Sequence, residues 1–179
     1  WPDSALVAII RNDDVSFGIL HSFIHEIWSV RMGSFLGKGN DPRYTPKSTF
    51  CTFPFPAGLE PNKSPSDYDN QHADAIADAA RNLDMLRERW LNPPEWTERI
   101  PEVVSGYPDR IVAKPGCEDR LKQRTLTKLY NDRPAWLDNA HRLLDEAVAA
   151  AYGWDDWPLD EETILSRLLN LNLSRAGKS

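Results

Sequence analysis

Residues 92–96, Asn-Pro-Pro-Glu-Trp, bring together groups that could act on an aromatic amine. An asparagine oxygen and a proline carbonyl can both accept from an exocyclic amino group, and a tryptophan can stack on the ring that carries it. In this chain Glu95 stands between the prolines and Trp96. The stretch also follows a long segment of helical periodicity. Two prolines behind a polar residue stop a helix, because proline lacks an amide hydrogen and clashes with the preceding turn. A helix terminator is therefore the favoured reading of Asn92, and no catalytic residue is assigned to the chain.

Other chemistry-bearing clusters are weaker. His21 and His25 stand four residues apart beside Glu26, but no HExxH surrounds them and no third ligand follows, so packing or surface roles are expected and no metal is assigned. Asp13-Asp14 could pair two carboxylates, but capping a helix is the commoner use. Gly37-Lys38-Gly39 has the spacing of a cofactor turn but follows a helix and loop rather than a strand. Nothing spells a GxSxG elbow, a phosphate-binding loop or a nuclease set of two carboxylates and a lysine. Cys51 and Cys117 read as unpaired thiols of a cytoplasmic protein, a disulfide being the lesser alternative.

Charge is distributed unevenly. The net charge of −6 argues against a freestanding polyanion binder. Residues 31–47, however, carry Arg31, Lys38, Arg43 and Lys47 against the single carboxylate of Asp41. Acidic side chains outnumber basic ones from residue 61 onward, so a nucleic-acid contact is expected in the first third.

The elements that must position these residues follow from periodicity. Ala5–Arg11 is apolar and branched, as in a buried strand. Asn12-Asp13-Asp14 should cap an amphipathic helix over Val15–Met32, with Gly33 as its stop. A polar loop over 33–45 leads to Ser48–Phe53, whose aromatics alternate as in a strand. Gly58, Pro61 and Pro65 mark 57–67 as a linker. A long helix is expected over Tyr68–Leu91, then an irregular proline-rich stretch over 92–116. Three further helices should cover 117–131, 134–152 and 160–175, the second with a stripe of Leu137, Ala140, Leu144, Ala147, Val148 and Ala151. The expected fold is mainly α with a small α/β N-terminal portion and a bundle-like C-terminal region. No apolar run reaches the roughly 20 residues that span a bilayer, so no membrane partner is expected. Opening on Trp-Pro without an initiator methionine suggests a fragment or a processed chain.

Two stretches carry a more specific similarity. FGILHSFIHEIW…RYTPKSTFCTFPFP (17–56) resembles the closing half of the target-recognition domain of single-chain type IIL and IIG restriction–modification enzymes and related adenine-N6 DNA methyltransferases. PAWLDNAHRLLDEAVAAAYGWDDW…ILSRLLNLNLSRA (134–176) resembles their C-terminal helical segment. Asn92-Pro93-Pro94 itself resembles the catalytic loop of amino-group DNA methyltransferases, but the resemblance places that loop, and the S-adenosylmethionine site, in an upstream domain outside this chain.

The resemblance implies three parts: 1–56 as half of a recognition domain, 57–67 as linker, and 68–179 as a helical domain. It implies double-stranded DNA and the missing methyltransferase domain of the same polypeptide as partners, with no cofactor bound here. Chemistry then assigns roles within 31–48. Arg43 can bond guanine O6 and N7 together, and Asp41 can accept from cytosine N4, so the pair could read one G·C base pair. The alternative is that the two simply pair with each other. Arg31, Lys38 and Lys47 suit phosphates, and Tyr44, Thr45 and Ser48 could add hydrogen bonds. His21, Ser22 and His25 are expected to pack or orient the loop. A helical protein-interaction module is the competing function.

Overall fold

The computed structural model describes residues 7–36 and 41–176. It is mainly helical, with two small two-stranded antiparallel sheets among the described residues. Two compact units emerge: Trp1–Ala80 with His141–Ser179, and Arg81–Ala140.

In the first unit, α1 (Asp14–His21) and α2 (Phe23–Met32) replace the single helix expected over Val15–Met32. Asp13 caps α1, accepting from the Ser16 amide at 2.8 Å. The helix breaks at buried Ser22. Its hydroxyl donates to the Ile19 carbonyl at 2.7 Å and accepts from the His25 amide, offering the backbone an alternative to continuous helix. The Phe23 amide turns instead to the Asp145 carboxylate at 2.7 Å. Gly33 caps α2 as expected. The loop expected after it contains β1 (Ser34–Leu36) and β2 (Asp41–Arg43), paired antiparallel with Ser34 opposite Arg43.

Two expected strands are not seen, the first of them, Ala5–Arg11, lying partly outside the described residues. Residues 7–11 have no ladder partner, and Ile10 is 97% exposed; an apolar run makes a strand only where an edge awaits it. Ser48–Phe53 is a series of tight turns. The amides of Ser48 and Thr49 both donate to the Thr45 carbonyl, and the Thr49 and Thr52 hydroxyls donate to the carbonyls four residues back. Local hydroxyl bonding of this kind favours turns over a ladder.

The supposed linker packs tightly. Leu59 is fully buried, and a 3-10 turn spans Pro65–Asp67. Arg11 donates to the carbonyls of Pro61 and Lys63, both at 3.0 Å, and to the Tyr68 hydroxyl at 2.6 Å. Asp13 closes this network, accepting from Tyr68 at 3.0 Å and pairing with Arg11. Burial would raise the Asp13 carboxyl, but the Ser16 amide, Tyr68, the Ser16 hydroxyl and Arg11 more than offset it and hold the carboxyl below its ordinary value.

The core of this unit includes Ile19, Ile24, Trp28, Ile76, Leu144, Val148, Ile164 and Leu168. α1 approaches α3 (Ala73–Leu91) and α6 (Ala135–Ala151) so closely at Gly18 that a Cβ there would stand 2.8 Å from Ile76 and 3.1 Å from both Ala80 and Leu144. α7 (Glu161–Ala176) packs on α2.

In the second unit, α3 ends at Leu91. The stretch expected to be irregular contains β3 (Thr97–Ile100) and β4 (Arg110–Ala113), paired with Thr97 opposite Ala113. The helix expected over 117–131 divides into α4 (Glu118–Lys122) and α5 (Leu126–Asp132), because Thr125 caps a new start by accepting from the Lys128 amide. Leu83, Leu129, Leu137 and Ala140 are its fully or almost fully buried apolar residues.

Candidate nucleic-acid interface

Side chains alternate along a strand, so Asp41 and Arg43 share one face of β2 while Pro42 takes the other. Both are exposed. No ion pair joins them among the described residues, so the alternative in which they neutralise each other is not what the structure forms. Arg31 is exposed in the last turn of α2, and Lys47 is exposed just beyond β2. Lys38 and the Gly37–Gly39 turn lie outside the described residues.

The hairpin is braced at both ends. At its start, Gly33 allows a close approach of backbone to backbone: a Cβ there would lie 2.6 Å from the Ser29 carbonyl oxygen and 2.8 Å from that of Arg43. At its finish, the residue after Arg43 is Tyr44, whose hydroxyl shares a 3.1 Å hydrogen bond with His25 Nε2. His25 is 3% exposed and meets Phe53 edge-on at 4.5 Å. Burial, helped by neighbouring His21, pushes its imidazole down to about 4, so it is neutral at pH 7. Burial likewise raises the Tyr44 hydroxyl. Trp28 Nε1 donates to the Thr49 carbonyl at 3.2 Å. Buried α2 side chains therefore hold the turns that follow β2.

Thr45 and Ser48 belong to that bracing. The Thr45 hydroxyl shares a bond with Ser34 at 3.2 Å and its carbonyl anchors the turns, while the Ser48 hydroxyl donates to that same carbonyl. His21 lies on the exposed side, stacked on Phe17 at 3.9 Å. Sequence reasoning placed His25 and Ser22 in the supporting helix but missed how they act, because neither the Tyr44 contact nor the Ser22 break has a signature in spacing.

A further support comes from the far end of the chain. Prolines leave Thr52–Pro56 without a ladder, and its carbonyls need other donors. The Tyr152 hydroxyl donates to the Pro54 carbonyl at 2.9 Å, Asn172 to Thr52 at 2.8 Å, and Arg175 to Phe55 at 2.8 Å. Burial raises the Tyr152 hydroxyl well above its ordinary value, which keeps it a donor.

Asn92-Pro93-Pro94 is differently engaged. The Asn92 side-chain amide donates to Glu88 at 3.0 Å. The Pro93 carbonyl already accepts from the Thr97 hydroxyl at 2.8 Å and the Trp96 amide at 2.9 Å, and Lys114 Nζ donates to the Pro94 carbonyl at 2.7 Å. These acceptors shape the turn into β3.

No known protein family matches the chain. No curated protein matches it either. Among solved structures, the chain is similar to the type IIL restriction-modification enzyme MmeI, whose structure was determined in complex with DNA. The TM-score is 0.56 at 21% identity, over 93% of this chain and 17% of that one. The chain thus spans a small part of that enzyme's length, and the likeness is one of fold.

Proposed function

We propose that the chain is the DNA sequence-recognition and scaffold part of a site-specific adenine-N6 DNA methyltransferase, in the setting of a restriction–modification enzyme. The observation that carries this reading is the braced β1–β2 hairpin, which presents Asp41 and Arg43 on one exposed face with no ion pair between them. The similarity of fold to a stretch of MmeI, a DNA-bound restriction-modification enzyme, supports it.

A guanidinium held on a short strand can address guanine O6 and N7 as a fork, and a carboxylate two residues away can accept from cytosine N4. Arg31, Lys38 and Lys47 then set register on phosphates. His25 and Tyr44 hold the strand in place instead of touching DNA. In this reading S-adenosylmethionine and the methyl transfer belong to a methyltransferase domain outside these residues, and the protein acts in the cytoplasm. Among the described residues no helix is long and apolar enough to cross a membrane.

The test is selection of bound duplexes from a randomised pool, by the chain and by Arg43→Ala. Enrichment of a G·C pair at one position is expected, lost in the variant by about 1–3 kcal/mol of discrimination. Failure of the unaltered chain to enrich any sequence overturns the reading.

One observation favours the interaction module instead: a 510 Å³ cavity between α2, β1 and α7, bordered by Phe23, Val30 and Phe35. All three of these side chains are exposed. Duplex affinity insensitive to both salt and Arg43→Ala would select that alternative.

A further inference from the structure

The second unit carries a cluster that the reading above leaves unused. The Arg124 guanidinium lies 4.4 Å from the ring centre of Trp90 and 4.9 Å from that of Trp96, and Arg120 lies over Trp96 at 5.8 Å. A guanidinium over an aromatic face keeps its N–H edge available for a hydrogen-bond acceptor. The comparison with Arg167 is instructive. That residue also lies over a tryptophan, Trp154 at 5.6 Å, but both of its terminal nitrogens donate to Asp156. Arg120 and Arg124 have no carboxylate partner among the described residues. Arg120 is exposed and Arg124 is half-buried.

Beside Arg124 runs a 330 Å³ groove whose walls include Trp90, Pro93, Trp136 and Arg89. Glu95 is its one carboxylate against the two arginines. Charge is likewise distributed in favour of this unit: residues 81–140 hold 11 basic and 10 acidic side chains, whereas the whole chain is at −6.

The geometry points to a phosphodiester-binding site here, with Arg124 and Arg120 receiving consecutive backbone phosphates of a nucleic acid. A guanidinium held over two indoles loses little side-chain freedom on binding, and its fork matches a phosphate's paired oxygens. Trp136 and Pro93 give the adjoining sugar an apolar wall. The site reads no sequence. It extends the proposed DNA-binding role to a second, independent contact and rests on that role only for the identity of the polyanion.

The test compares the intact chain with Arg124→Gln, Arg120→Gln and the double variant. Affinity is measured for a duplex of arbitrary sequence and for polyglutamate of matched charge, across roughly 50–200 mM salt. Each substitution should weaken duplex binding several-fold and lower the slope of log affinity against log salt by about one. The preference for any selected sequence should stay unchanged, whereas Arg43→Ala should do the reverse. Melting of each variant is followed alongside. Arg120 lies over a single ring and is exposed, so its replacement keeps the test valid if Arg124→Gln fails to fold. Unchanged slopes in a folded variant overturn the site, as does polyglutamate binding as tightly as duplex. Reduced slopes without any sequence preference uphold this site and sink base readout. A chain that binds no duplex at any salt sinks both.

Discussion

In the β1–β2 hairpin, Asp41 and Arg43 stand exposed with no ion pair between them. In the β3–β4 hairpin, Arg99 pairs with Glu88 at 2.8 Å and Arg110 with Glu102 at 2.7 Å. The backbone supports differ in the opposite sense. The first hairpin is clamped by Gly33 at one end and by the Tyr44–His25 bond at the other. The second runs out to Val103, 94% exposed, and Tyr107, also exposed. Unpaired charge thus accompanies a fixed backbone, and paired charge accompanies a projecting apolar tip. In the first hairpin the two charges carry no ion pair between them and the backbone is secured from below; in the second, Arg110 is matched by Glu102 of the connecting loop and Arg99 by Glu88 of α3.

The strongest way to break this contrast is Trp28→Ala. It empties a buried site and removes the donor to Thr49, so a loss of about 3–5 kcal/mol is expected. Chemical denaturation should show it, and sequence discrimination should fall because the turns after β2 lose their anchor. An unaffected discrimination would mean the bracing is unnecessary.

Acid acts on the same support. Free imidazole takes a proton near 6.5, whereas buried His25 resists until about 4. The unfolded chain therefore binds more protons between these values, and stability rises with pH across that window. This contribution is fully present above 6.5 and is lost as pH falls toward 4, up to about 3 kcal/mol. Melting temperature against pH should show the decline, and His25→Gln should flatten it. The smallest effect belongs to the other hairpin: Arg99→Ala removes an exposed pair and should cost at most about 1 kcal/mol in the same denaturation assay. A larger loss would make the paired charges structural equals of the bracing.

Much of the helical frame was legible because burial follows the 3.6 period. Leu137, Ala140, Leu144, Val148 and Ala151 are all buried in α6, and α3 stops at Leu91, one residue before Asn92-Pro93-Pro94. What periodicity could not show was how non-local partners redirect a segment. The Asp145 carboxylate draws away the Phe23 amide and splits a helix, and hydroxyls at 49 and 52 turn an apparent strand into turns. The apolar run before Arg11 had the composition of a strand, but its described part, 7–11, joins no ladder. At the candidate site, the residue types of Asp41 and Arg43 were readable, and so was the basic stretch. The bond from Tyr44 to His25, 19 residues apart, was not. Nor was the tryptophan–arginine stack of the second unit, whose members come from α3, from the turn before β3 and from the segment between α4 and α5.

The three donors that reach Thr52–Pro56 from Tyr152, Asn172 and Arg175 cross about 100 to 120 residues of chain. During synthesis those carbonyls leave the ribosome long before their partners exist. At typical elongation rates of about 5–20 residues per second, the wait lasts on the order of ten seconds. The Thr52–Pro56 segment is thus made well before it is secured. Asn172 and Arg175 of α7 complete the segment's hydrogen bonding once that helix is made.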